Sequence, residues 1–323
     1  MNKNVLFDTS SGSLNMGDFI IVRSVENELN NILNNGFLVK FPTHTPVCHF
    51  YQCVKRNGAI KYFDKAKYKF IAGTNLLNYN MLLPWNNWNI NIFNKRPYVN
   101  SILVGAGMNP NSKHINLYTK FLFKHVLSKD YIHSCRDQRT TDFLTNLGFK
   151  AINTGCATMW CLTDSFCKNI PIHKASSVVF TLTDYDKDND KDQKLINTLI
   201  KNYENVYFWI QGSNDYDYLK SFNNINNINI ISSQLDYYDK ILNETEIDYV
   251  GTRLHAGIFA LQHKKRTIII AVDNRTKDIK QSYNIISLDR DEIEKLDELI
   301  NTDFETNIHI NFDLINQWKM QFK

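Results

Sequence analysis

A chain of 323 residues with 43% hydrophobic and 22% charged residues carries enough apolar material for two packed cores, which excludes disordered and fibrous classes. Its 37 basic and 33 acidic residues almost cancel to +4, and the densest basic cluster is only Lys264-Lys265-Arg266, so nucleic-acid binding is set aside. The strongest apolar run, residues 267–272, is strand-sized, and the apolar patch at 5–7 is too short for a signal peptide; the expectation is a cytoplasmic chain with no transmembrane segment.

In chain order, short β-rich runs alternate with amphipathic segments of helix length. Runs at 5–7, 68–72, 101–104, 131–132 and 151–152 read as strands in the first half, and runs at 177–182, 206–210, 229–231, 247–250, 267–272 and 285–286 in the second. Between 18 and 33, Ile21, Val22, Val25, Leu29, Ile32 and Leu33 fall on one helical stripe. Phe143, Leu144 and Leu147 form another, with Gly148 placed to end it. A polar stretch at 166–176, with Pro171, precedes a fresh strand–helix series. The expectation is an α/β chain of two Rossmann-like domains with parallel sheets, 1–170 and 171–323, facing each other across a cleft. A last helix at 313–322 could pack on either domain. Oligomeric state is not legible.

Six cysteines suit a reducing compartment as free thiols. His44, Cys48, His49 and Cys53 form one group that could be imagined around zinc, and Cys156, Cys161 and Cys167 another. Neither contains a C-x-x-C knuckle, so no metal site is assigned.

Ligands of open parallel sheets bind beyond the carboxyl ends of the strands, which turns the strand list into a list of loops. The most informative is Gly251-Thr252-Arg253-Leu254-His255-Ala256-Gly257, where a strand passes through a small-residue turn into a helix. A helix N-terminus attracts anions, Arg253 offers a fork for phosphate or carboxylate, and His255 can move a proton near neutral pH. The bland alternative, a structural ion pair for Arg253 and a core role for His255, is weighed against that position after a strand. Asp273-Asn274-Arg275 follows the next strand; Arg275 is a candidate anion ligand, against a solvated capping turn. In the first half, the loop from Asp8 to Asp18 matches neither the dinucleotide nor the Walker pattern. Gly17 and Asp18, Thr74 and Asn75 in Gly73-Thr74-Asn75, and Gly107 and Asn109 in Gly105-Ala106-Gly107-Met108-Asn109 are candidate loops beside an acceptor. Arg136, before Asp137, is either a cleft residue or a capping neighbour.

These pieces together resemble the polysaccharide pyruvyl transferase family: N-x-G-D from Asn15 to Asp18, A-G-T-N from Ala72 to Asn75, V-G-A-G from Val104 to Gly107, C-R-D-Q-R-T from Cys135 to Thr140, T-G-C-A-T-M-W from Thr154 to Trp160, W-I-Q-G from Trp209 to Gly212, G-T-R-L-H-A-G from Gly251 to Gly257, and A-V-D-N-R from Ala271 to Arg275. One departure is Ala72, where the family often has glycine. The resemblance implies a fold like that of the B-type glycosyltransferases. It also implies transfer of the pyruvyl group of phosphoenolpyruvate to two hydroxyls of a sugar in a cell-surface or capsular glycan, giving a ketal. It assigns Arg253 and His255 to catalysis, Arg253, Thr252, Arg275 and Arg136 to the donor, and Gly17, Asp18, Thr74, Asn75, Gly107 and Asn109 to the acceptor or the loops around it. Phosphoenolpyruvate is a substrate, and no cofactor or metal is demanded. The partners implied are the donor and a glycan acceptor, with room for peripheral attachment to a membrane-bound glycan assembly. Two other readings stand beside this one: a glycosyltransferase using a nucleotide sugar, and a carbohydrate-binding component without catalysis.

Overall fold

The computed structural model describes residues 2–33, 36–55, 59–83, 87–109, 114–272 and 283–322. The chain divides into two compact units. Unit 1 comprises 1–13, 21–160 and 311–323; unit 2 comprises 14–20 and 161–310. The break thus lies at Trp160/Cys161, earlier than the expected 170/171, because the polar 161–176 segment is tied into unit 2. There Phe304 N–H donates to Ile172 O at 3.4 Å, and Lys174 Nζ donates to Asn301 Oδ1 at 2.8 Å.

The described strands of unit 1 are β1 (Asn2–Asp8), β2 (Gly36–Pro42), β3 (Tyr68–Ala72), β4 (Asn75–Leu77), β5 (Ile102–Val104), β6 (Gly107–Met108), β7 (His133–Cys135) and β8 (Ala151–Asn153). A parallel sheet runs β2-β1-β3-β5, with parallel pairs β4-β6 and β7-β8, and parallel bridges join Ser101 to Leu127 and Ala106 to Cys135. Every residue of β3 and β5 is buried, the signature of a parallel strand covered on both faces. Phe7 packs on Tyr98 at 4.6 Å, and the helix Leu117–Val126 closes over this core with Leu122, Phe123 and Val126. Asn116 starts that helix, its side chain accepting from Thr119 N–H at 2.7 Å.

The C-terminal helix, Phe312–Lys319, belongs to unit 1, a choice the sequence leaves open. Trp318 is fully buried, donates Nε1–H to Ile132 O at 2.7 Å, and lies against Phe70 and Trp160. Gln321 takes up the Ile132 backbone as well, accepting from its N–H at 2.7 Å. This is why the strand expected at 131–132 begins instead at His133: the backbone groups of Ile132 are already spent on the returning helix.

Unit 2 holds one parallel sheet of β9 (Ser177–Thr181), β10 (Asn205–Trp209), β11 (Ile228–Ile231), β12 (Ile247–Gly251), β13 (Thr267–Ala271) and β14 (Ser287–Asp289), in the order β11-β10-β9-β12-β13-β14. Numbered within the unit this is 3-2-1-4-5-6, the Rossmann order, whose reversal lies between β9 and β12. β9, β12 and β13 are buried at every residue. Their register pairs Gly251 with Thr181, so both strands end level and their following loops emerge side by side.

Candidate active site

The loops after β9, β10 and β12 meet at the strand-order reversal of unit 2, and Arg253 ties them together. Its Nη2 donates to Asp184 Oδ1 at 2.7 Å and to Asp215 Oδ1, and its Nε donates to Leu182 O at 3.0 Å. The Tyr185 ring covers the guanidinium, 5.0 Å from Cζ. Arg253 is 4% exposed and Asp215 0%. Burial works against charge on Arg253, but Asp215 and the groups around it overcome that and raise its pKa. Burial also works to raise Asp184, yet the hydrogen bond from Asn214 and the pairing with Arg253 leave it below the usual carboxylate range. The backbone of Arg253 is held as firmly as its side chain. Its N–H donates to Thr181 Oγ1 at 3.2 Å, Thr181 Oγ1 lies 2.7 Å from Tyr249 Oη, and Tyr249 Oη–H donates to Arg253 O at 2.7 Å.

Arg253, expected from the sequence as a catalytic and donor-binding residue, is held by groups of its own unit. Its Nη2 and Nε are engaged by two carboxylates and a carbonyl of unit 2, so the side chain fixes the loops after β9, β10 and β12. Thr252 is likewise turned inward: it is buried, with Oγ1 2.8 Å from Thr183 Oγ1. Arg275, the third donor candidate, lies outside the described residues, as do Asp273 and Asn274.

His255 is placed differently. It stands half-buried in the first turn of the helix Leu254–Gln262, whose N-terminus carries no side-chain cap. Beside it runs the segment 14–17. Met16 N–H donates to Gln211 O at 2.9 Å, Ser213 N–H to Leu14 O at 3.1 Å, and Gln211 Nε2 to Asn15 Oδ1 at 2.8 Å. A Cβ added to Gly17 would sit 3.5 Å from the Cβ of His255. Gly17 and the half-buried Asp18, read from the sequence as loops of the first domain, therefore belong to unit 2, with Gly17 beside His255.

Gly212 completes this corner. An added Cβ would collide with the Arg253 guanidinium and stand 3.0 Å from Asp215 Oδ1, so only glycine lets the arginine lie across the β10 loop. Sequence reasoning missed Asp184 and Asp215, which stand three and six residues beyond the ends of β9 and β10; acidic residues in the loops after adjacent strands were the available signal. It also missed Gln211, whose Oε1 is buried without a partner.

Unit 1 gathers a second set at the carboxyl ends of β3, β5 and β7. Arg136 Nη2 donates to Asn75 Oδ1, and its Nε is 3.4 Å from Asp137 Oδ2. Gly107 gives the same kind of clearance as Gly212, since a Cβ there would strike the Arg136 side chain. Gly107 N–H donates to Thr74 O at 2.9 Å, and Asn109 N–H to Leu77 O at 2.8 Å. Thr74, Asn75, Gly107, Asn109 and Arg136 thus share one corner. Ala72, the family departure, is fully buried at the end of β3. A cavity of about 280 Å³ lined by Asp64, Lys69 and Asp130 sits at the opposite, amino end of these strands, away from where parallel sheets take ligands.

The cysteine groups are described too. Cys48 and Cys53 are buried with their sulfurs 3.1 Å apart, while Cys156 and Cys161 are half-buried and Cys167 is buried. Among the described residues no three His, Cys, Asp or Glu are arranged to hold a metal.

The sequence of the polysaccharide pyruvyl transferase family matches residues 15–274, from the Asn15 that pairs with Gln211 to beyond the end of β13. The chain belongs to that family. Membership makes it a transferase of polysaccharide biosynthesis, and the two corners just described lie within the matched residues. No curated protein matches the sequence. Among solved structures, the S. aureus MnaA–UDP co-structure matches with a TM-score of 0.52 at 10% identity, over 99% of this chain and 97% of that one. Methanocaldococcus jannaschii UDP-GlcNAc 2-epimerase in complex with UDP-GlcNAc and UDP gives 0.47 at 12% identity, over 99% and 100%. At such identity the first likeness speaks for fold alone: this pyruvyl transferase has the two-unit, Rossmann-like architecture of the B-type glycosyltransferases.

Proposed function

We propose that the chain transfers the pyruvyl group of phosphoenolpyruvate to two hydroxyls of one sugar in a cell-surface or capsular glycan, closing a cyclic ketal. The observation that carries this reading is the position of His255, half-buried at an uncapped helix start on the strand-order reversal, with the Asn15–Gly17 segment against it. A proton must reach the methylene carbon of phosphoenolpyruvate so that C2 accepts the first sugar oxygen. The C2–O bond to phosphate then breaks, the phosphate leaves with the electron pair, and the second hydroxyl adds to C2 and releases its proton. Donor and diol become ketal and inorganic phosphate, with no net oxidation and no step that calls for a metal.

In this scheme His255 handles the proton, as an imidazole near neutral pH can. The helix N-terminus stabilises the phosphate, with Arg275 a further candidate ligand; Arg136, in unit 1, is carried as a separate candidate for the donor. Arg253 is a positioning residue, holding the loops of Asp184 and Asp215 around the helix entrance. Asp18 borders the reacting groups from unit 2, and Thr74, Asn75, Gly107 and Asn109 are the candidate acceptor side. The glycan acceptor and the cytoplasmic setting belong to the same proposal.

The test is incubation with phosphoenolpyruvate and a panel of glycans, reading released phosphate together with a mass gain of one pyruvate less one water. His255→Ala should lower that product by roughly 100-fold or more while leaving the fold intact. Near-normal turnover by this variant rejects the assignment. Protection from thermal unfolding by a nucleotide sugar and not by phosphoenolpyruvate would move the chain to glycosyl transfer instead.

A further inference from the structure

The near-neutral total charge conceals a division. Between Leu29 and Lys129 stand 13 lysines and arginines and a single carboxylate, Asp64, which is paired with Arg96 at 2.9 Å. Within that stretch, three neighbouring segments of unit 1 turn large apolar side chains to solvent. The helix Phe50–Lys55 buries Cys53 and leaves Phe50, Tyr51 and Val54 exposed. Phe50 meets Phe93 edge to face at 5.5 Å, and Arg96 Nη1 donates to Cys53 O at 3.4 Å, joining this helix to the loop at 90–96.

That loop is joined in turn to the helix Leu117–Val126: Ile92 N–H donates to Tyr118 Oη at 3.2 Å, and Lys95 Nζ stands 4.8 Å over the Phe121 ring. The helix buries Thr119, Leu122, Phe123 and Val126. Its other face, at spacings of three and four, exposes Leu117, Lys120, Phe121, Lys124 and His125. Phe50, Phe93 and Phe121 are 47–60% exposed and Leu117 is 85% exposed. The result is a connected apolar ridge set among lysines, with no acidic residue in any of its three segments.

Contiguous exposed apolar side chains mark a contact surface, unlike single scattered ones. The charge around this ridge selects an anionic partner. Aromatic and aliphatic tips beside long cationic side chains suit a bilayer interface, where rings sink to the headgroup–acyl boundary and lysines reach lipid phosphates. A nucleic acid would take the charge but gain nothing from Leu117, Val54 and Ile92. No described helix is long and apolar enough to cross a membrane. We propose that this face of unit 1 docks on the surface of anionic phospholipid bilayers.

The proposal stands apart from the transfer reaction, because vesicle binding is measured with neither donor nor acceptor present. The full chain is sedimented with vesicles of phosphatidylcholine containing roughly a third phosphatidylglycerol, and with pure phosphatidylcholine, at low and high salt. Binding to the anionic vesicles only, falling steeply with salt, is expected. Phe50→Ser/Phe93→Ser/Phe121→Ser should weaken it at least tenfold. The exposed pair Lys120→Glu/Lys124→Glu should weaken it by about 25-fold or more, from about fivefold per lysine. Circular dichroism checks that both variants fold. No sedimentation with anionic vesicles at low salt, equal uptake by neutral vesicles, or unchanged binding of folded variants would overturn the proposal; retention on DNA without vesicle binding would do so in favour of a polyanion.

Discussion

Replacing Arg253 with methionine keeps much of the aliphatic stem and removes the charged guanidinium, and the cost can be worked from its neighbours. Two ion pairs disappear, to Asp184 and Asp215, together with the Nε–H bond to Leu182 O. Asp184 keeps some solvent and the Asn214 bond, so it can tolerate the loss. Asp215 has no exposure, and the hydrogen bond from Gly212 N–H at 2.6 Å cannot replace the lost positive charge. An uncompensated buried carboxylate of this kind costs about 3–5 kcal/mol. For a unit of this size that corresponds to a fall of roughly 6–20 °C in the unfolding temperature. The second variant, Arg253→Met/Asp215→Asn, removes the stranded charge, and its net loss should shrink to about 1–3 kcal/mol of missing hydrogen bonds. Urea unfolding measures the difference, and hydrogen exchange on β9 and β12 locates it in unit 2. The reasoning fails if Arg253→Met lies within about 1 kcal/mol of wild type, or if adding Asp215→Asn restores nothing.

Two further outcomes follow from neighbouring geometry and from unit 1. Gly212→Ala puts a methyl group into the Arg253 guanidinium and should destabilise by about 1–3 kcal/mol; in the Arg253→Met background, where that group is gone, the penalty should largely vanish in the same unfolding assay. His133 is wholly buried, its Nδ1 accepting from Leu103 N–H and its Nε2–H donating to Ser128 O. Burial pushes its pKa down to about 4, outweighing the Ser128 bond. Since the unfolded chain binds the proton from about pH 6.5 downward and the folded one does not, stability should fall as pH drops from about 6.5 to about 4, by up to about 3 kcal/mol, with no contribution above that window. His133→Gln should flatten that part of the stability–pH curve, and an unchanged slope would exclude His133 as its source.

The alternation of strand and helix was readable because buried parallel strands such as Ile102–Val104 and Thr267–Ala271 are largely apolar runs. Gly148 ends its helix with φ +90°, as its place in the pattern implied. The expected helix at 18–33 is instead broken after Glu28. The edge strand Gly36–Pro42 escaped notice: its residues are half-buried or exposed, so no clean hydrophobic period marks it. β4 and β6 are too short to show any period. At the candidate site, a strand–turn–helix reading found His255 and Arg253 but could not say where the guanidinium points. That direction depends on Asp184 and Asp215, which lie 69 and 38 residues away in sequence. The pairing of Asn15 with Gln211, 196 residues apart, is the same kind of long-range fact. Local patterns encode element type; partners across a sheet are encoded only in the fold.

The return of residues 311–322 to unit 1 has a consequence for how the chain is made. The slot for Trp318 among Phe70, Trp160 and the Ile132 carbonyl is formed by segments that leave the ribosome early, while its occupant follows the whole of unit 2. At roughly 5–20 residues per second, that interval lasts on the order of ten to thirty seconds. During it the nascent first unit presents an unfilled aromatic socket to its surroundings, and a chaperone that recognises such sockets would find its substrate there.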